Sequence, residues 1–261
     1  MRINWWQRLI LGVLAVLFAI PVAVAKDLRI VTIEVAPFGF VGENGKPTGM
    51  MYEIGNLIAT EAGFTYSNQL VPYARSAHAV VHGDADFVLR YSSAELIASA
   101  TQVVGVLSLP TIVLGKAPAK IESLADLRGK TVGNPRGGRF DPAFEADTAI
   151  LKHQVSDYSQ MLKMLMNGRL DAGIGSAIGL YYNAHLLGLH SDQLGKPLVL
   201  STQTFELHYS KKTADNETLT ALRDAVARLK ARQAIRKIVD QYLDTFDWYL
   251  TPPLARTANQ P

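Results

Sequence analysis

The sequence predicts an α/β fold with largely parallel sheets, divided into two similar lobes. Three observations carry this expectation. From Lys26 onward, short β-branched runs alternate with amphipathic helical stretches. The chain has 261 residues, 48% of them hydrophobic, enough for two modest domains with their own cores. One local pattern also occurs twice, 85 residues apart: a helix ends at glycine, and an aspartate three positions later opens an apolar strand. The copies are Gly83-Asp84-Ala85-Asp86-Phe87-Val88 and Gly168-Arg169-Leu170-Asp171-Ala172-Gly173-Ile174. Glycine supplies the left-handed cap, the polar pair makes the turn, and the strand then enters the core.

The segment before this pattern begins reads as a secretory leader. Arg2 and Arg8 precede an uncharged run from Leu9 to Ala25 that is broken by Pro21 and closes on Ala23-Val24-Ala25, the small-x-small pattern of a cleavage site. Residues 1–25 are therefore expected to be a signal peptide, cut before Lys26. A membrane anchor is the weaker reading, because the run is short for a bilayer and no basic stop-transfer cluster follows.

The elements follow in order. Leu28 to Ile33 is a first strand, and Gly42, Asn44, Gly45 and Pro47 mark a turn-rich stretch. Met51, Ile54, Ile58 and Ala62 recur at helical spacing, with Thr48 as N-cap and Gly63 at the stop. Ala74 to His82 forms another short helix. Ser123-Leu124-Ala125-Asp126 has the form of a capping box, Gly129 ends that turn, and Lys130 to Gly133 starts a strand. Tyr158, Met161, Leu162 and Leu165 line one helical face. Leu219, Leu222, Val226 and Leu229, then Ile235, Ile238, Val239 and Tyr242, mark a long helical C-terminal region. Residues 251–261, proline-flanked and polar, read as a frayed tail.

Composition narrows the function. The chain has no cysteine, which excludes disulfides, thiolate nucleophiles, thiolate zinc sites and a lipidated N-terminal cysteine. Lys and Arg number 26 against 23 Asp and Glu, and two of the basic residues lie in the leader, so no nucleic-acid partner is suggested. The expectation is a soluble exported protein; in a bacterium with two membranes, that compartment is the periplasm.

Three blocks then resemble a known family. Pro37-Phe38-Gly39-Phe40 with Gly45-Lys46-Pro47-Thr48-Gly49 resembles the opening of bacterial extracellular solute-binding proteins of family 3. The stretch from Ile121 to Gly133 is similar to that family's entry into its second lobe, and Asn167-Gly168-Arg169-Leu170-Asp171-Ala172 to its later helix-to-strand signature. The resemblance runs in order from about Leu28 to Tyr242. It implies the type II periplasmic binding protein fold: two α/β lobes, each a mixed, mostly parallel sheet flanked by helices, joined by a two-stranded hinge. Lobe 1 would comprise 26–112 and 206–250, and lobe 2 would comprise 113–205. The hinge crossings are expected near Pro110 to Gly115 and near Thr204 to Ser210.

Members that bind ordinary α-amino acids carry an arginine in the first lobe and an aspartate in the second. This chain departs from both: no basic residue lies at Ala100 to Gln102, and Ser176 stands where the aspartate is expected. It resembles instead members whose cleft is lined by a Pro-aromatic-x-Arg segment, here Pro72-Tyr73-Ala74-Arg75, and an Arg-Gly loop, here Asn134-Pro135-Arg136-Gly137-Gly138-Arg139-Phe140.

That second loop follows a strand and precedes a helix beginning at Asp141-Pro142, so backbone N–H groups, the helix dipole, Arg136 and Arg139 are expected to converge on an anion. A solvated loop with two surface arginines is the plainer reading. Other candidates each have two readings. Arg90, with Tyr91 and Ser92, ends a strand and emerges either at the cleft or at the surface. Glu34 receives a ligand ammonium or pairs locally. Phe38 and Phe40 stack on a ligand or fill the core. Arg75 binds or decorates its helix, and Ser176 offers a hydroxyl or caps a helix.

Other signals point nowhere. Gly173-Ile174-Gly175-Ser176-Ala177-Ile178-Gly179 lacks dinucleotide spacing and reads as a strand-to-helix turn. The six histidines show no metal-ligand spacing beyond an i, i+4 pair, His78 and His82. No cofactor is implied. The expected function is a monomeric solute-binding protein that captures a small polar or anionic solute by lobe closure and delivers it to an ABC permease in the inner membrane. The alternatives are an enzyme of the cyclohexadienyl dehydratase type, with Glu34 or Glu206 as general acid, and a sensory adaptor presenting its ligand to a receptor.

Overall fold

The computed structural model describes residues 26–243. The signal-peptide reading of 1–25, the end of lobe 1 after 243 and the tail at 251–261 lie outside the described residues. Among the described residues no helix is long and apolar enough to cross a membrane.

β1 (Asp27–Ile33) runs parallel to β4 (Thr65–Val71) on one side and to β5 (Phe87–Arg90) on the other. Two crossover helices make these parallel pairings possible. They are α1 (Met50–Glu61), which buries Met50, Met51, Ile54 and Ile58, and α2 (Tyr73–His82). A two-stranded ribbon, β2 (Phe40–Val41) with β3 (Pro47–Thr48), stands beside β1.

β6 (Ala100–Gly115) and β10 (Leu198–Ser210) are long and antiparallel, paired from Leu198 with Val113 to Ser210 with Ala100. Each exchanges its outer neighbour along its length. β10 pairs with β5 from Glu206 onward, whereas β6 pairs with β9 (Ala172–Ser176) from Thr111 onward. β9 continues to β7 (Thr131–Pro135) and β8 (Leu151–Val155), both in parallel. One eight-stranded sheet results, in the order β4-β1-β5-β10-β6-β9-β7-β8.

The remaining helices are α3 (Ala94–Ser99), α4 (Pro142–Ala146), α5 (Tyr158–Met166), α6 (Ala177–Leu186), α7 (Asn216–Ala231) and α8 (Ala234–Leu243). α5 buries Tyr158, Met161, Leu162 and Leu165, the face its spacing predicts. The capping box at Ser123 and Asp126 forms and opens a 3-10 turn over Leu124–Leu127. The C-terminal region is two helices rather than one, broken where Gln233 adopts a φ of 57°.

The repeated turns are built alike. Gly83 and Gly168 take φ of 80° and 69°. Asp86 then accepts the backbone N–H of Arg29 at 2.7 Å, and Asp171 accepts that of Thr131 at 2.7 Å. In each half the aspartate ties its own strand to the neighbouring one.

Two local expectations are corrected. Thr48 does not cap α1: the N-cap is Gly49, at φ 124°, and the Thr48 hydroxyl donates to Glu53 at 2.9 Å. A side chain at 49 would meet the Phe38 carbonyl at 2.7 Å, so close backbone approach selects glycine over a capping hydroxyl. The glycine-rich 173–179 stretch is indeed a strand-to-helix turn, and its glycines make room for α5. Side chains at Gly175 and Gly179 would overlap the Tyr158 ring, and one at Gly173 would overlap Met161.

Candidate functional site

The carboxyl ends of β1 and β4, with the adjoining loops, face the carboxyl ends of β7 and β8 across a cleft of about 800 Å³. Ends of parallel strands are where α/β sheets expose backbone and side chains to a ligand. One wall is formed by Glu34 to Ala36, Gly39 to Val41 and Pro72 to Ala74. The other is formed by Arg136, by Ser156, Asp157, Ser159, Gln160 and Lys163 around the start of α5, and by Asn183 of α6.

Below this cleft lies a cavity of about 20 Å³, walled by Ile33, Val35, Phe38, Tyr73, Tyr91, Pro135, Phe140, Tyr158 and Phe205. Val35 and Tyr73 line both spaces, so the aromatic cavity is the floor of the cleft. Its rings pack mainly on one another: Phe205 lies 5.1 Å from Phe38 and 4.2 Å from Tyr91, centroid to centroid. The Tyr91 hydroxyl is buried without a hydrogen-bond partner, and burial raises its pKa well above that of a free phenol.

Direct contacts join the two walls. The Asn183 side chain donates to the Ala36 carbonyl at 2.9 Å and to the Gly179 carbonyl at 2.8 Å. Gly137, with φ of 79°, abuts the Tyr73 ring, which a Cβ there would meet at 3.2 Å. From the hinge strand β10, Gln203 donates to the Phe140 carbonyl and holds the 135–140 loop against the sheet.

The structure thus brings Glu34, Tyr73 and Arg136 together in the cleft and Phe38, Tyr91 and Phe140 in its floor. Gly137 packs on Tyr73, and Gly138 is buried against Phe140. Arg75 is exposed on α2 and is not part of the lining.

Arg90 is only 4% exposed and lies behind Tyr73. Its guanidinium stacks on the Tyr73 ring and donates to the Tyr73 carbonyl and to Ser76 Oγ. Across the sheet it faces Glu206. The Glu206 carboxylate accepts from Ser92 Oγ at 2.6 Å and from Gln102, and stands 3.8 Å from His208 Nε2. Ser92 and Glu206 therefore belong to a polar cluster behind the sheet. His208, at 0% exposure, has a pKa pushed down to about 4 by burial, a shift that Glu206 opposes and Arg90 assists. Ser176 is fully buried and caps α6 through the Gly179 N–H.

The expected convergence of two guanidiniums and a helix N-terminus on an anion does not form. The Asp141 carboxylate accepts the N–H groups of Ala143 and Phe144, each at 3.0 Å, and so occupies that end of α4 with a negative charge of the protein's own. Arg139 turns to Glu145 at 3.1 Å. Only Arg136 of the pair faces the cleft. Sequence reasoning missed Lys163 and Gln160, for which the only signal was their place on the polar side of α5, and Asn183, a buried amide on the largely apolar α6.

Comparison with known proteins agrees with this geometry. No curated protein sequence matches the chain. Among solved structures, an ancestral arginine-binding protein bound to arginine is similar over 83% of this chain and 97% of its own, at 21% identity and a TM-score of 0.71. A Streptococcus pneumoniae ABC uptake transporter substrate-binding protein with bound histidine is similar over 84% and 92%, at 17% identity and a TM-score of 0.72. A histidine kinase sensor domain with similarity to periplasmic binding proteins is similar over 84% and 96%, at 18% identity and a TM-score of 0.71. At such identities the likeness establishes the two-lobe fold. The profile of the bacterial extracellular solute-binding proteins, family 3, matches residues 28–245. With the fold, the two-walled cleft and a match over nearly all described residues in agreement, the chain belongs to the bacterial extracellular solute-binding proteins, family 3.

Proposed function

We propose that this chain is a periplasmic solute-binding protein that traps a small polar or anionic solute between its lobes and hands it to an ABC importer. The observation that carries this reading is the arrangement of Glu34 on one wall of the cleft against Arg136 and Lys163 on the other. Charges held on two walls that share hinge strands are met together by a solute only when the walls approach, so a solute favours the approached state. Val35 and Tyr73 at the cleft floor, with Phe38 and Phe140 beneath, are the surfaces such a solute rests on.

The boundaries we propose for the moving parts are 26–112 with 206–250, and 113–205. Export through the leader, a monomeric state and a permease partner belong to the same reading, supported by ABC-transporter binding proteins among the similar structures. The sensor domain among them supports a second use of the same closure, presentation of the ligand to a receptor. A dehydratase-like enzyme is less well supported: Glu206 is not part of the cleft lining, and Glu34 is solvent-exposed rather than desolvated as a general acid requires.

A thermal-shift screen of the purified protein against a metabolite library tests the reading, with uptake of any hit measured in a deletion strain. A stabilising solute whose uptake is lost on deletion is the expected result. A protein that responds to nothing, in a strain that loses no uptake, overturns it.

A further inference from the structure

We infer that the solute is a hydroxyaryl carboxylate, a flat ring with an acid group at one end and a hydrogen-bonding oxygen at the other, and that Tyr91 is the residue that selects this oxygen. The inference rests on the solute-binding reading above and assigns it a ligand class.

Net charge does not choose the solute. On the cleft lining Glu34 and Asp157 offset Arg136 and Lys163, so the four charged side chains sum to zero. The floor is more selective. The rings of Phe38, Tyr73, Tyr91, Phe140, Tyr158 and Phe205 wall its cavity, contributed by both sides of the cleft and by the hinge strand β10. Flat aromatic faces and edges favour a flat ring laid against them. Tyr73, which a solute meets first, is held from behind by Arg90 and flanked by Gly137, so it offers a fixed surface.

Within this apolar wall the Tyr91 hydroxyl is the exception. Tyr91 is 5% exposed, and its hydroxyl has no hydrogen-bond partner among the described residues. A buried hydroxyl left alone destabilises the free protein and rewards a ligand atom that pairs with it. Burial, with the phenols of Tyr158 and Tyr73 nearby, keeps Tyr91 protonated, so it donates. A water is a poor partner, because the surrounding walls are hydrocarbon and ring, and the Tyr158 hydroxyl already accepts the Ser176 N–H at 3.2 Å.

A cavity of about 20 Å³ admits one oxygen and not a ring. The ring therefore stays above it, on Val35 and Tyr73, which line cleft and cavity alike, and only its oxygen reaches down to Tyr91. Pro135 belongs to the cavity and Arg136, the next residue, to the cleft. A carboxylate at the upper end of the ring thus meets a guanidinium able to grip both of its oxygens.

Isothermal titration of the purified protein with six probes tests this: 4-hydroxybenzoate, 3-hydroxybenzoate, 4-hydroxyphenylacetate, benzoate, 6-hydroxyhexanoate and tyramine. At least one of the first three is expected to bind about tenfold or more tightly than each of the others, which lack in turn the oxygen, the ring and the carboxylate. Tyr91→Phe is expected to bring the affinity ratio of hydroxyaryl acid to benzoate to about one. Because it deletes an unpaired buried group, it is also expected to raise the melting temperature of the free protein by about 2–4 °C. Arg136→Gln is expected to weaken hydroxyaryl acid and benzoate alike, about tenfold, and to leave their ratio unchanged.

Benzoate, 6-hydroxyhexanoate or tyramine binding as tightly as the hydroxyaryl acids overturns the inference, as does a ratio unmoved by Tyr91→Phe. A melting temperature that does not rise in Tyr91→Phe means the hydroxyl is already paired in the free protein, and overturns it as well. Silence toward all six probes while some other solute binds overturns the inference and leaves the solute-binding reading standing. Silence toward every solute overturns both.

Discussion

The guanidinium of Arg90 lies 4.3 Å from the centre of the Tyr73 ring, and its Nη1 donates to the carbonyl of the same residue at 3.0 Å. Ring and backbone of a cleft-lining residue are thus held by one buried side chain. Arg90→Leu is expected to destabilise the protein by about 2–3 kcal/mol, the cost of leaving a carbonyl and the Ser76 hydroxyl without a charged donor. It is also expected to weaken solute binding about tenfold by freeing Tyr73. Arg90→Lys keeps the charge but loses the planar stacking, and lies between the two. Titration calorimetry and melting curves on both variants measure this; unchanged affinity in Arg90→Leu contradicts the positioning role.

Asn183 joins the walls through the Ala36 carbonyl at 2.9 Å. Removing one neutral hydrogen bond costs about 1 kcal/mol, about fivefold in an equilibrium between approached and separated walls. Asn183→Ala is expected to weaken solute binding by about that factor and to increase the radius of gyration of the free protein in X-ray scattering. No change in either measurement means the contact does not govern closure.

Acid sensitivity is expected to centre on His208. Its folded pKa of about 4 lies below the ordinary value of 6.5, so folding favours the neutral ring. The corresponding stability is fully present above about pH 6.5 and is lost as pH falls toward 4, with a limiting loss on the order of 3 kcal/mol. His208→Gln keeps a donor toward Ser92 and cannot titrate. Its melting temperature is expected to fall less than that of the parent across this window; parallel profiles for the two proteins count against His208 as the source.

Gly175 has no room for a methyl group because the Tyr158 ring fills the space. Gly175→Ala is expected to cost about 1–3 kcal/mol through overpacking. Pairing it with Tyr158→Leu relieves the overlap, so the double variant should be more stable than the sum of the single effects implies. Additive effects in chemical denaturation disprove the proposed contact.

Much of the fold was legible because its determinants are local. Gly83 and Gly168 announce left-handed caps, and Asp86 and Asp171 close the turns after them, so the paired lobes could be read from two short strings of residues. The face of α5 was legible from the spacing of Tyr158, Met161, Leu162 and Leu165 for the same reason. The site was less so. Arg136 and Arg139 are equivalent in sequence, and only the placement of Glu145 one helix turn into α4 draws Arg139 away. Lys163 stands on a polar helix face like any solvated lysine; what distinguishes it is the wall opposite, contributed by residues 34–41 and 72–74, far earlier in the chain. Thr48 misled because hydroxyl preference at an N-cap competes with the close pass of Gly49 beside Phe38, a contact no local spacing encodes.

The pairing of β5 with β10, Leu89 opposite Leu207, also sets an order of assembly. β1, β4 and β5 lie far ahead in the chain of the strand that covers their inner edge. β7, β8 and β9, by contrast, lie close together in sequence. The half that begins later in the chain is therefore the more local one, and the earlier half keeps an open sheet edge until Leu198–Ser210 reaches it.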